Sequence, residues 1–342
     1  MELYTTDPLL DGRWEKLSAE HPGASVFHQR GWLEALRRTY GYTPIVLTSS
    51  PPGEPLRDGI VLCRVSSWAT GTRAVSLPFT DHCEPLLDAC CPASEFANWL
   101  RMECDRQRWK YVEIRPLSWD EGEGVLQCSQ SYCMHTLDLT RATEQIFQGL
   151  HKDSIQRRIR RAEREGLGYE TGRGQGLLDD FYHLMVRTRK RHGLIPQPRA
   201  WFRNLVDCMG DRLQIRLARK QSRPIAAILT LRNRGVVTYK YGCSDEKFHN
   251  LGGMPFLFWK LIEESREAGA EELDFGKSDL NQKSLITFKE RFGSRRRLLH
   301  YFRYPRTRVV SERDWRAVRQ AFSMLPVSLG PVAGRLLYRH LA

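Results

Sequence analysis

Hydrophobic positions along this chain follow two periods, and blocks of each period alternate. In HQRGWLEALRRTY (28–40), Trp32, Leu33 and Leu36 recur at helical spacing. TPIVLTS, GIVLCRVSS and RAVSLPF are rich in β-branched and aliphatic residues and read as strands. PASEFANWLRMECDRQRW (92–109) reads as a helix with Pro92 near its start, YVEIRPL (111–117) as a strand, and DEGEG (120–124) as a polar loop before a strand through CMHTLDL.

The second half repeats this order. In HKDSIQRRIRRAEREGL (151–167), Ile155, Ile159 and Ala162 fall at i, i+4 and i+7, one face of a helix. Asp153 or Ser154 is expected to cap its N-terminus, and Gly166 to take the left-handed position past its end. Two further helices follow: LLDDFYHLMVRTRKRHG, with Leu177, Phe181, Leu184 and Thr188 on one face, and RAWFRNLVDCM. LQIRLAR, PIAAILTLR and VVTYKYGCS are three strands with short turns between them. PFLFWKLIEESREAGA (255–270) is a helix opened by Pro255 at its first position. EELDFG is a short strand, SLITFKERF a helix and LLHYFRY a closing strand; a helical tail is expected over 307–342.

One internal match organises these elements. VSLPFTDH–helix–WKYVEIRP parallels VVTYKYGCS–helix–EELDFGK: strand, loop, helix, strand, with an acidic residue in the last strand (Glu113 and Asp274). A right-handed crossover makes each a parallel pair with its loop at the opening, where ligands usually sit. The pattern predicts a duplicated α/β domain.

Charge changes the picture for the second half. Residues 1–150 carry 14 Lys and Arg against 20 Asp and Glu, a net of −6; residues 151–342 carry 39 against 20, a net of +19. The arginine helix thus lies in a basic half suited to a polyanion: nucleic acid, a nucleotide diphosphate, a lipid pyrophosphate or an anionic membrane surface. On its own the helix reads as an ordinary solvated face rather than a binding surface. The nine cysteines show no CxxC, the start MELYTTDPLL is acidic, and no apolar run reaches spanning length, so a cytoplasmic protein with reduced thiols is expected. His82 and Cys83 near Cys90 and Cys91 have poor spacing for zinc, and buried thiols are the simpler reading.

Candidate chemistry gathers in three segments. EKFHNLGGMP (246–255) feeds a helix N-terminus; Gly252 and Gly253 permit close backbone approach to a phosphate or simply form a tight turn. His249 and Asn250 are placed to bind a donor or to cap, with Asn250 the expected cap. In VVTYKYGCS, alternation puts Tyr239 and Tyr241 on one face and Lys240 on the other, either as a phenol-lined pocket or as core. In SLITFKERFGS, Leu285, Phe288 and Phe292 share a face with Lys289 beside it, either an oxyanion-stabilising cation or a lysine with its ammonium in water. GxSxG, GxxxxGK[ST] and HExxH are all missing, so nucleophile triads, P-loop hydrolysis and zincin chemistry are not indicated.

The ordered set R-x-x-I-x-R-A-x-R-x-G-L with its lead-in, Y-x-Y-G-C-S, a Gly-Gly loop and helix, L-D-F-G, F-K-E-R-F-G and the ending LYRHL resembles the FemAB-like group of the GCN5-related N-acyltransferase (GNAT) superfamily. The resemblance is strongest over 151–304 and weaker over 25–135, where SLPFTDHCEPLLD matches best. It implies an α/β (α+β) fold of two tandem GNAT-like domains, 1–139 and 140–306, each a mixed twisted sheet flanked by helices. It also implies transfer of an acyl or aminoacyl group to an amine, often on a cell-envelope precursor. One branch of the group takes its donor from aminoacyl-tRNA and extends peptidoglycan side chains. Others look like acyl-CoA users in exopolysaccharide assembly.

By position, the resemblance makes Lys289 a channel-lining lysine, Tyr239 or Tyr241 the central-strand tyrosine, and Asp88 the acidic residue after E-P-L-L. Glu84 stands where relatives have glycine, and N-L-G-G-M only partly echoes the superfamily's CoA loop. No tightly bound cofactor is implied; acyl-CoA or aminoacyl-tRNA is the co-substrate. Lys152, Arg157 and Arg158, with His249, Asn250, Gly252 and Gly253, are then the expected phosphate-side contacts. The expected partners are a phosphate-bearing donor and an envelope or polysaccharide precursor, with peripheral contact to anionic membrane as a further option. The rival reading is a non-catalytic protein of the same fold that binds RNA or anionic membrane.

Overall fold

The computed structural model describes residues 2–306, apart from 69, 89–91 and 120–124, together with Tyr338. The tail expected over 307–342 lies outside the described residues except for Tyr338. The elements are, in chain order, β1 (Tyr4–Thr6), α1 (Gly12–Glu20), α2 (Arg30–Tyr40), β2 (Thr43–Thr48), β3 (Ile60–Ser67), β4 (Gly71–Val75), α3 (Ala93–Arg106), β5 (Val112–Ile114) and β6 (Gln127–Asp138). There follow α4 (Thr143–Gly149), α5 (Arg157–Arg164), β7 (Gly168–Gly172), α6 (Gln175–Arg191), α7 (Arg199–Met209), β8 (Leu213–Lys220), β9 (Arg223–Asn233) and β10 (Val236–Ser244). The last four are α8 (Gly253–Glu267), β11 (Glu272–Asp279), α9 (Lys283–Glu290) and β12 (Arg295–Tyr304).

Contacts group the chain into two units, residues to Tyr132 with 299–306, and 133–298. The chain passes between them within β6 and returns within β12, so 299–306 belong with the first unit; Phe302–Tyr304 pair there with Val112–Ile114. The first unit orders its strands β1-β2-β3-β4-β5-β12 and the second β6-β11-β10-β9-β8-β7. In each, one neighbouring pair is parallel and spanned by a helix: β4 and β5 across α3, β10 and β11 across α8. The internal match in the sequence is therefore a structural repeat.

In the second unit the two sheet faces differ. One is covered by α5, the turn before it and α8, whose Ile155, Ile159, Ala162, Phe256, Leu257, Phe258 and Ile262 join Ile228, Val237, Leu273 and Phe275 in one core. The other carries α6 and α7, with Phe181 packed on Phe202 and Phe202 on Tyr241. The isoleucine stripe of the arginine helix is buried as its spacing predicts, and each such side chain contributes roughly 1.5–3 kcal/mol.

The start of that helix departs from expectation. A wide turn, Lys152–Gln156, precedes α5, and the His151 ring accepts from Ser154 N in place of an Asp153 or Ser154 cap. Both Ile155 N and Gln156 N donate to His151 O, which moves the cap back to His151. Gly166 takes its left-handed position at φ 61°. In α8, Pro255 is the third residue and still lies in the first turn, where a missing N–H costs little.

Candidate functional site

The opening of the second unit's parallel pair begins early. The mutual register of β10 and β11 covers Val236–Thr238 and Glu272–Asp274. Beyond it β10 stays with β9 as far as Ser244↔Ala226, while Cys133 on β6 reaches Ser278 O near the end of β11. The two strands pair over their first three residues and part beyond them, leaving a crevice at their C-terminal ends, the usual ligand position in a parallel pair.

A bulge sits where they part. Tyr239 pairs with Thr230 and Tyr241 with Leu229, so Lys240 is an extra residue. One inserted residue reverses the alternation that follows it. Tyr239 and Tyr241 therefore project to opposite faces, not to the shared face that strict alternation predicts. Tyr239 packs on Phe258 of α8, ring centroids 4.8 Å apart, and is half-buried. Tyr241 packs on Phe202, and its hydroxyl oxygen accepts from Gln197 Nε2 at 3.0 Å and Trp201 Nε1 at 2.9 Å. Tyr239 curls back along its own strand: a Cβ at Gly242 would overlap its hydroxyl, which is why glycine follows the Y-x-Y pair.

Lys289 is not a lysine with its ammonium in water. It is 2% exposed, and Nζ donates to Gly276 O at 2.7 Å and Lys277 O at 3.1 Å. Two successive carbonyls can face it because Gly276, at φ 69°, breaks the strand's alternation; the Asp274 carboxylate holds this bend by accepting from Gly276 N at 2.7 Å. A buried ammonium is thus fixed at the end of β11 beside the crevice. Phe288 and Phe292, on either side of Lys289 in the sequence, pack on each other with ring centroids 5.2 Å apart and on the α8 face with Tyr239.

His135 of β6 is fully buried near this ammonium, and among the described residues neither ring nitrogen has a hydrogen-bond partner; Nε2 lies 3.9 Å from Glu290 Oε1. Burial, then the Lys289 charge, pushes its pKa down to about 4, so the ring is neutral near pH 7.

The glycine pair has a packing role. Gly252 caps α8 at φ 79° with no side-chain cap, so Asn250 does not have the capping role expected of it. A Cβ at Gly252 would collide with the Arg158 carbonyl of α5, and one at Gly253 would stand 3.1 Å from Ala226 Cβ. The preceding turn is capped by Asp245, whose buried carboxylate also receives Arg187 at 2.9 Å and Arg223 at 3.0 Å. His249 Nε2 lies 2.9 Å from Ser244 Oγ, and burial, then Arg191, lowers its pKa; the charge of Arg158 acts on it too. Arg158, His249, Gly252 and Gly253 are thus brought together. Arg157 turns outward to Asp153 at 2.7 Å, and Lys152 is exposed on the wide turn.

Asp88 belongs to the first unit, half-buried next to Leu87, whose carbonyl contacts His21. Cys90 and Cys91 lie outside the described residues, and among those described no group of three metal-ligating side chains occurs. The seven described cysteines are thiols. No described helix is long and apolar enough to cross a membrane. Sequence reasoning missed His135, Gln197, Trp201 and Asp245; for Asp245, the S-D pair ending β10 just before a turn is a capping signal.

Residues 150–284 match the family model of the acetyltransferase (GNAT) domain. That stretch, 135 of the 342 residues, is similar to a GNAT domain. That match spans the arginine helix, the crevice strands and α8. The chain shares the fold of FemX, at 13% identity and TM-score 0.66, over 94% of this chain and 100% of that one. It is similar to the C-terminal domain of a putative lysylphosphatidylglycerol synthetase from Agrobacterium fabrum, at 16% and 0.59, over 90% and 94%. It is also similar to a tandem GNAT protein of clavulanic acid biosynthesis, at 12% and 0.56, over 88% and 98%. No curated protein matches it in sequence. The tandem GNAT architecture implied by the FemAB-like resemblance is thus the observed one.

Proposed function

We propose that this GNAT-fold transferase moves an acyl or aminoacyl group from an acyl-CoA or aminoacyl-tRNA to an amine of a cell-envelope or exopolysaccharide precursor. The observation that carries the reading is the parting of β10 and β11 beside the buried ammonium of Lys289. Both donors are already activated, so no enzyme nucleophile is required. The amine nitrogen attacks the donor carbonyl, a C–N bond forms, the C–S or C–O bond breaks, and the leaving sulfur or oxygen takes a proton. The protein's part is to position the two reactants and stabilise the oxyanion.

In this reading Lys289 supplies the fixed positive charge, already oriented by Gly276 and Lys277. Tyr239, half-buried and on the face that Phe288 and Phe292 share, protonates the leaving group. Tyr241, engaged by Gln197 and Trp201 on the other face, holds the bulge. Arg158 and His249 meet donor phosphates, with Lys152 and Arg157 farther along the basic surface. Asp88 is proposed on the resemblance alone. The fold shared with FemX and with a putative lysylphosphatidylglycerol synthetase is in keeping with an aminoacyl donor. The test is transfer of label from acyl-CoA, and in parallel from charged tRNA, to a peptidoglycan-precursor amine. Product from one donor is expected, and product from neither would defeat the reading.

A further inference from the structure

The repeat that builds the two units also exposes a difference between them. In the second unit, β10 and β11 part after Asp274 and the far half of β11 stays open toward the crevice. In the first unit the parallel register is Ala74↔Val112 and Val75↔Glu113, extended by Ser76 N to Glu113 O at 2.9 Å. The chain then turns back on itself. Cys83 N donates to Arg115 O at 2.7 Å, an antiparallel bridge on the edge of β5 that the corresponding crevice would need open. Leu77, Thr80, Asp81, His82 and Cys83 are all buried.

Side chains lock this loop in place. Arg115 Nη1 donates to Leu77 O at 2.6 Å and Thr80 O at 3.3 Å, and the Tyr301 hydroxyl donates to Asp81 O at 2.7 Å. Arg115 is itself held by Glu113, which also receives Arg303 at 2.6 Å. Burial raises the Glu113 pKa, but the two arginines outweigh it and hold the carboxyl below its usual range. Glu113 and Asp274 occupy matching places in the repeat, so Arg115 matches Gly276. At the one position a guanidinium ties a loop into the opening; at the other a glycine leaves its carbonyl to Lys289.

We propose that the chain has one donor crevice, in the second unit, and that its counterpart in the first unit is closed by residues 77–83 under the hold of Arg115 and Tyr301. The proposal rests on the functional reading above for what the open crevice receives, but the closure is a property of the first unit alone.

Two measurements on the full chain test it. Titration with acetyl-CoA and with alanyl-tRNA should give one bound molecule per chain for whichever donor is turned over; two would overturn the proposal. Hydrogen exchange, followed by mass spectrometry without any donor, should show the amides of 77–83 protected like those of the sheet. Arg115→Ala should speed their exchange by at least about tenfold. If Arg115→Ala fails to fold, Tyr301→Phe, which removes the hydroxyl that donates to Asp81 O and Thr80 O, should give a smaller change of the same sign. Rapid exchange of 77–83 in the wild type would overturn the proposal. Should neither donor bind or turn over, the functional reading falls, and the exchange pattern alone still decides whether the crevice is closed.

Discussion

Gly252→Ala separates the two roles a Gly-Gly loop can have. Two costs add at this position. At φ 79° an alanine sits in the left-handed region, about 1 kcal/mol worse than glycine. Its Cβ would overlap the Arg158 carbonyl oxygen and stand 3.0 Å from the carbonyl carbon, so α5 has to retreat by several tenths of an ångström against a packed Ile155–Ile159 stripe. Overpacking of this kind costs about 1–3 kcal/mol. The lower chain entropy of unfolded alanine returns roughly 0.5 kcal/mol. The expected net loss is about 1.5–3.5 kcal/mol, read as a lowered urea midpoint at unchanged slope. Gly253→Ala, facing Ala226 Cβ at 3.1 Å, should lose less. A loss under about 0.5 kcal/mol for Gly252→Ala would refute the packing reading and return the loop to phosphate binding alone.

Other predictions follow from the site. Lys289→Gln, which keeps an N–H donor for the Gly276 and Lys277 carbonyls but removes the charge, should cut kcat by about a hundred- to a thousandfold with the far-UV circular dichroism spectrum retained; a change within a few-fold would exclude the oxyanion assignment. Tyr239→Phe should lower kcat with little effect on stability, whereas Tyr241→Phe strands the Gln197 and Trp201 donors and should destabilise by about 2–4 kcal/mol; denaturant melts beside steady-state rates distinguish the two, and the reverse pattern would exchange their roles. His28 is buried with its pKa lowered to about 4 from 6.5, mainly by burial, so the unfolded chain binds its proton first as pH falls. Its contribution is intact above pH 6.5 and is lost progressively down to about pH 4, by about 3 kcal/mol in all, and His28→Gln should flatten that part of the stability–pH curve relative to wild type.

Periodicity made most of the fold legible. The Ile155–Ile159–Ala162 stripe, the three strands before α8 and the strand–helix–strand repeat each follow from local pattern, because each buries one face on a single neighbour. Three features were hidden for specific reasons. The bulge at Lys240 inserts a residue into an otherwise regular run, and no local rule distinguishes VVTYKYGCS with a bulge from the same run without one. Burial of Lys289 depends on Gly276 turning two carbonyls toward it from a strand 13 residues away in sequence. His135 is an isolated polar residue in a strand, and only the fold brings it near Lys289. The glycine pair was visible, but its cause was not, since the Arg158 backbone that excludes a side chain comes from another helix.

The most direct test is a crystal structure of the protein with a non-hydrolysable donor analogue: a ketone analogue of acyl-CoA, with a methylene between sulfur and carbonyl, and, separately, a 3′-amide aminoacyl-adenosine. The acyl carbonyl is expected between residues 239–242 of β10 and 275–277 of β11, its oxygen turned toward the ammonium of Lys289. An analogue seated in the first unit, or bound on the basic surface with the crevice empty, would contradict this placement.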